Sequence, residues 1–201
     1  HACGHDGHIA IGLTVGLMIR QIQDQLTGSV HLLLQPAEEI GQGALKMVKE
    51  GVFEEIKPDY VLGVHLWNEK PFGWLGIKGG PLMAASSTFE IDVIGKGGHG
   101  GQPQASIDPI VASVQIVNQI QTIVSRTLNP FDSAVISICS IHGGTSFNIA
   151  PPKVVMTGTI RYLTEAAYEI MRRRLEEICD NTAQAMGCEV ELRLESLVKA
   201  T

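Results

Sequence analysis

Positive charge is in short supply: 15 Lys and Arg face 21 Asp and Glu, for a net charge of −6. With no basic stripe anywhere, the chain is not expected to bind nucleic acid or an anionic membrane surface. Cysteine is scarce too. The 4 residues Cys3, Cys139, Cys179 and Cys188 are scattered, without the spacing of a disulfide scaffold, which points to a reducing, cytoplasmic setting. No run of 18 apolar residues occurs and no charged-then-apolar signal pattern opens the chain, so neither a membrane span nor a targeting segment is expected. Charged residues make up only 18% against 44% apolar, the balance of a globular chain and not of a disordered one. Its 201 residues suffice for one large domain or two small ones. An initiating Met is also missing. The chain opens directly on HACGHDGHIA with no strand before it, and because chain ends fray, an internal segment of a longer protein is expected.

Behind that motif, Asp6 can cap a helix from about Gly7 to Leu26, apolar almost all round and therefore expected to be buried. SVHLLLQ (29–35) and YVLGVHL (60–66) read as short buried strands of a parallel sheet, with a helix from about Gly41 to Glu50 between them, ended by Gly51. This order argues for an α/β layer with right-handed crossovers. Near residue 85 the pattern changes. Phe89, Ile91 and Val93 alternate with Glu90 and Asp92, the period of a strand with one wet face. Asp108-Pro109 starts a helix whose apolar stripe is Ile110, Val114, Val117, Ile120 and Val124. Strands follow at about 134–141 and 154–162. Thr164 then caps a helix with the stripe Tyr168, Met171, Leu175 and Ile178, and 189–195 alternates strictly. The order βαββαβ predicts a ferredoxin-like α+β domain.

Three separate pieces carry candidate chemistry. Cys3-Gly4-His5 places a thiol and an imidazole two residues apart at a helix N-terminus, whose dipole favours thiolate. By itself such a pair is weak, and His1 or His8 can be structural. PAEE (36–39) falls at the carboxyl end of the first expected strand, where open α/β sheets place ligands. Glu38 and Glu39 cannot both rest at an apolar sheet edge unless a cation or a proton neutralises one. The plainer reading is a solvated loop. His65, near the end of the next strand, is by default a core histidine, yet that strand end should lie beside PAEE. Cys3, His5, Glu39 and His65 would then form a sulfur, nitrogen and oxygen set suited to Zn²⁺, Mn²⁺, Co²⁺ or Ni²⁺.

HACGHDGH, LLLQPAEE, GVHLW, GKGGHGGQPQASIDPI, GGTSFNIAP and GTIRYL, in this order, resemble the metal-dependent amidohydrolase branch of the aminoacylase/carboxypeptidase superfamily. Hippurate hydrolases, N-acetyl-diaminopimelate deacetylases and auxin–amino-acid conjugate hydrolases belong to that branch. The resemblance implies part of a zinc-peptidase-like α/β catalytic domain over 1–84 and a ferredoxin-like lid and dimerisation domain over 85–195. Residues 196–201 would begin a return to the catalytic domain. It implies two divalent metal ions, with Cys3 bridging them and His5, Glu39 and His65 as further ligands. Glu38 matches the catalytic general base. His99, among five glycines between Gly95 and Gly101, matches a histidine that the lid offers to substrate, and Asn148 a substrate-facing asparagine. Arg161 would touch the substrate carboxylate or the interface of a homodimer formed through the lid.

The activity so implied is hydrolysis of the amide bond of small N-acyl-amino acids by metal-activated water. A dipeptidase or aminopeptidase with the same machinery is the near alternative. A non-catalytic ferredoxin-like binding or dimerisation module, and a closed structural zinc site with an inert Glu38, are the distant ones. The chain also departs from the family pattern. It lacks the upstream Asp-rich motif and the further C-terminal His ligand, and Pro103-Gln104 stands where PH is common. A segment ending at Thr201 would then have an incomplete metal site and be a poor enzyme alone.

Overall fold

No proline interrupts the stretch after His5, and it winds into α1 (His5–Gln21) despite its glycines. The computed structural model describes residues 3–201, and the chain divides into two compact units, His1–Ile77 and Lys78–Thr201. α1 starts earlier than expected because Gly4, not Asp6, is its N-cap, at φ 78°. Glycine holds that left-handed conformation at no steric cost. Asp6 lies instead in the first turn, where its charge meets the positive end of the helix. A tight turn over Gln23–Gln25 takes up the rest of the expected span.

The expected burial of α1 is not observed: none of its residues is buried. Burial needs an opposing surface, and the first unit supplies only local cover, with Leu32 over Gly12 and Gly16. The two expected strands are corrected as well. Among the described residues the first unit contains no strand, and Leu62 is 94% exposed. An apolar run shows that a segment wants cover, but a strand also needs a hydrogen-bonded neighbour. Among the described residues 29–35 and 60–66 exchange no backbone bonds. The single helix expected at 41–50 is α2 (Gly43–Lys49), and α3 (Val52–Ile56) follows after Gly51, whose φ is 90°.

The second unit is the expected ferredoxin-like βαββαβ. Its strands are β1 (Ala85–Ile94), β3 (Ala134–His142), β5 (Lys153–Tyr162) and β6 (Glu189–Val198), all antiparallel in the order β3-β5-β1-β6. A two-strand ladder, β2 (Gly98–His99) with β4 (Ile149–Ala150), stands beside it. Two helices, α4 (Pro109–Thr122) and α5 (Glu165–Ala185), supply the crossovers. Their caps are those read in the sequence: Asp108 Oδ1 accepts from Ile110 N–H at 2.8 Å, and Thr164 Oγ1 from Ala167 N–H at 3.2 Å. Phe89, Ile91, Met156 and Ile160 from the sheet meet Ile116, Ile120, Met171 and Leu175 from the helices in one core.

The stripe of α5 is as expected, with Tyr168 stacked on Tyr162 at 4.5 Å. That of α4 is as expected only in part: Ile120 is buried and Val117 and Val124 pack against the core, but Ala112, Ser113 and Ile116 also face it, while Ile110 and Val114 are exposed. α4 is apolar on more than one face, and the small residues at 112 and 113 allow the closer approach to the sheet. Residues 196–201 stay with this unit: β6 runs on to Val198, and Leu82 and Met83 donate N–H to the Thr201 carbonyl at 2.6 and 2.7 Å. Among the described residues no helix is long and apolar enough to cross a membrane.

On the sheet's open face Asp92 is buried beneath two cations, with Lys153 Nζ at 2.8 Å and Arg193 Nη2 at 2.7 Å from its Oδ2. Burial alone would raise its carboxyl, but the hydrogen bonds and charges of Lys153 and Arg193 outweigh that and hold it below the usual carboxylate range. A folded-state value below the unfolded one stabilises the fold above the ordinary carboxylate range. That contribution is lost as pH falls through the lowered value. Asp92→Asn is therefore expected to weaken the dependence of thermal midpoint on acid pH, and a full-size acid dependence in the variant would contradict the assignment. At the centre of β5, a Cβ on Gly158 would stand 2.2 Å from Phe89 Cζ and 2.3 Å from the Ser137 carbonyl oxygen. Gly158→Ala is expected to cost about 1–3 kcal/mol by overpacking, read from denaturant unfolding of the second unit. An unchanged midpoint would show that the sheet yields there.

Candidate metal centre

Gly4 lets the chain reverse into α1, so Cys3 and His5 flank one point at the helix N-terminus. The acidic pair arrives from the turn Glu38–Ile40, and two local constraints hold that turn. Ala37 sits at φ 52°, a left-handed conformation costly for a residue with a Cβ and characteristic of functional turns. Gly43 faces the Pro36 carbonyl so closely that an added Cβ would lie 1.5 Å from the oxygen. Only glycine lets the start of α2 close on PAEE.

The result is a convergence within the first unit. His5 Nε2 lies 3.2 Å from Glu38 Oε2 and 3.3 Å from Glu39 Oε1. Ligand atoms of Cys3, His5 and Glu39 all fall within 4.8 Å of one another, the spacing of donors around a shared cation. His65 joins from the far end of the unit, its Nε2 3.4 Å from Cys3 Sγ. Glu38 and Glu39 are exposed, so the cluster is open to solvent on one side.

The electrostatics fit a cation. Partial burial, a hydrogen bond and charge from Glu39, and the charge of Glu38 together push the Cys3 thiol above its ordinary value. These outweigh the helix N-terminus, which by sequence alone favoured thiolate. A divalent ion among the same groups reverses the balance, since it neutralises the carboxylates and draws the proton off a coordinating thiol. Sulfur, imidazole and carboxylate together are the donor types that zinc and its neighbours take.

His8, which sequence reading left as structural, is part of this cluster. Its ring centroid lies 5.5 Å from that of His5 and 4.6 Å from that of His65. The burial of His8, then the charges of His65 and His5, lower its pKa. The signal was in the sequence: His5 and His8, at i and i+3 on one helix, share a face.

In the second unit the β2–β4 ladder pairs His99 with Ile149, and Gly100 N–H donates to the Asn148 carbonyl at 2.7 Å, which brings His99 and Asn148 together. Gly97 and Gly100 allow it: added Cβ atoms would lie 3.1 Å from Ala150 O and 3.2 Å from Asn148 O. His99 Nδ1 accepts from Gly101 N–H at 3.0 Å, which leaves Nε2 as the protonated, donating nitrogen of the neutral ring. Asn148 Oδ1 accepts from Ser146 Oγ at 2.7 Å, so its amide N–H groups remain donors. Arg161 stands apart, roughly 26 Å along β5 from Lys153, beside Ser86 and Val135 on the neighbouring strands. Its guanidinium is tied to Thr159 Oγ1 and the Ile160 carbonyl.

The chain is 38% identical over 193 residues to an N-acetylcysteine deacetylase of Bacillus subtilis (strain 168), covering 96% of this chain and 50% of that protein. It is 42% identical over 189 residues to an N-acetyldiaminopimelate deacetylase of Bacillus cytotoxicus, covering 94% and 50%. Among solved structures, a dinuclear metal-binding peptidase of the M20 family from Bacillus subtilis superposes with a TM-score of 0.78 at 31% identity, over 100% of this chain and 50% of that one. The chain thus spans about half the length of the curated relatives it matches. Residues 1–192 match the peptidase family M20/M25/M40, and the chain belongs to that family.

Proposed function

We propose that the protein is a metal-dependent hydrolase that cleaves the amide bond of small N-acyl-amino acids. The observation that carries this reading is the meeting of Cys3, His5, Glu39 and His65 with a further carboxylate, Glu38, 3.2 Å from His5. A binding module has no use for that additional acid beside the ligands; hydrolysis does. Relatives that deacetylate N-acetylcysteine and N-acetyldiaminopimelate support the substrate class.

In this reading Cys3, His5, Glu39 and His65 hold two divalent ions, zinc, manganese, cobalt or nickel. When bound, such ions polarise an amide carbonyl and bring the ionisation of water near neutral pH. Glu38 takes the proton of the attacking water on its carboxylate and hands it to the leaving nitrogen, which departs as an amine. His99, with Nε2–H free to donate, offers a hydrogen bond to substrate. Asn148 offers its amide N–H groups to substrate. Arg161, far along β5, suits the dimer interface better than the substrate carboxylate. The protein acts as a homodimer through the second unit, supported by the open edge of β3 and by exposed Ile110, Val111 and Val114 on α4, which lies on the β3–β5 side. Four free cysteines suit a reducing, cytoplasmic setting. The peptidase among its structural relatives keeps dipeptide cleavage as a second reading.

Glu38→Gln is expected to keep the metal while kcat falls about 10²–10⁴-fold against a panel of N-acyl-amino acids and dipeptides. Undiminished turnover would remove Glu38 as the base, and failure of the metal-loaded wild type on every amide would favour a binding module. Cys3→Ala and Glu39→Ala are each expected to lower bound metal in elemental analysis. Metal content equal to wild type would place them outside the coordination sphere.

A further inference from the structure

We propose that His8 is a positioning residue that sets the tautomer and aim of His65 through the backbone of Leu66. The inference rests on the metal-centre reading above and assigns a role to a side chain that reading leaves idle. His65 Nδ1 lies 2.6 Å from the carbonyl oxygen of Leu66. That carbonyl can only accept, so Nδ1 carries the proton, and Nε2 is left with a free lone pair. Nε2 is the nitrogen 3.4 Å from Cys3 Sγ, on the side where the candidate ligands converge. The arrangement is the one metal-binding histidines need, with one ring nitrogen tied to a carbonyl and the other free to coordinate.

The backbone of Leu66 therefore has to be held still on both sides of its Cα, and α1 holds its N–H side. Leu66 N–H donates to His8 Nε2 at 2.9 Å, a bond across 58 positions of sequence. Alongside it, the Leu66 side chain rests on the first turn of α1 where side chains are absent. A Cβ on Gly7 would lie 2.5 Å from Leu66 Cδ1, and one on Gly4 would lie 3.5 Å from it. The contacts form one oriented chain: His65 Nδ1–H to Leu66 C=O, Leu66 N–H to His8 Nε2, with His65 Nε2 left facing Cys3 Sγ. His65 and Leu66 are exposed, and the half-buried His8 ring is their hydrogen-bonded anchor on α1.

The test compares His8→Ala, which removes the acceptor, with His8→Gln, whose side-chain oxygen can still accept from Leu66 N–H. Two readouts are taken on folded protein: zinc affinity by competition with a chelator, and the ¹⁵N shifts of the His65 ring in metal-free protein. His8→Ala is expected to weaken zinc binding about 10–100-fold and to move the His65 shifts towards a mixture of tautomers, with His8→Gln close to wild type in both. Wild-type affinity and an unmixed His65 tautomer in His8→Ala would overturn the proposal. So would a folded His8→Gln no better than His8→Ala. If His8→Ala does not fold, the His65 shifts of His8→Gln decide alone, and a mixed tautomer there overturns it. If the wild-type protein binds no zinc, the metal-centre reading fails, while the metal-free His65 shifts still decide whether His8 sets that ring.

Discussion

A thiol and two carboxylates crowded at one point repel one another as anions, and the first unit is built to keep them there. Gly4 turns Cys3 and His5 towards the point, Ala37 accepts a left-handed backbone, and Gly43 yields its side-chain space to the Pro36 carbonyl. Each device costs conformational energy or permissiveness elsewhere. Structures keep such costs where a site needs them; the Cys3 thiol is raised first by partial burial and then by its hydrogen bond to Glu39 and the charges of Glu39 and Glu38. The proposed chemistry, the choice of Glu38 as base and the place of His8 all depend on this convergence.

The two units meet different demands. The second has a dense core, capped helices and a sheet in which every interior strand is paired on both sides, the features of a unit stable through its own packing. Its glycine-rich turn spends that rigidity on holding His99 and Asn148 side by side. The first unit keeps its chemistry in turns and at a helix end, with apolar residues of α1 and of both apolar runs exposed.

How far the sequence spoke follows from which forces act locally. Asp108 and Thr164 as caps, the alternation through Phe89, Ile91 and Val93, and the stripe of α5 were all legible, because each is decided within a few residues. The core face of α4 was legible only in part, through Val117, Ile120 and Val124. With Ile, Val and Ala on several faces, only the sheet opposite chooses between Val114 and Ile116. The apolar runs at 29–35 and 60–66 displayed a need for cover but not the partner a strand requires. Within the site, residue types disclosed the ligand candidates and the paired carboxylates. The i, i+3 spacing of His5 and His8 marked a shared helix face, but the role of His8 runs through the backbone of Leu66, a contact no side-chain pattern announces. Arg161 was grouped with His99 by family resemblance alone, and the length of β5 separates them.

Cobalt(II) titration of the metal-free protein, followed through the near-ultraviolet band of thiolate-to-metal charge transfer, tests the central claim most directly. The account predicts a band that grows to saturation at a defined cobalt-to-protein ratio and is absent when Cys3 is replaced by serine. Cobalt binding with no such band, or no saturable binding at all, would contradict it.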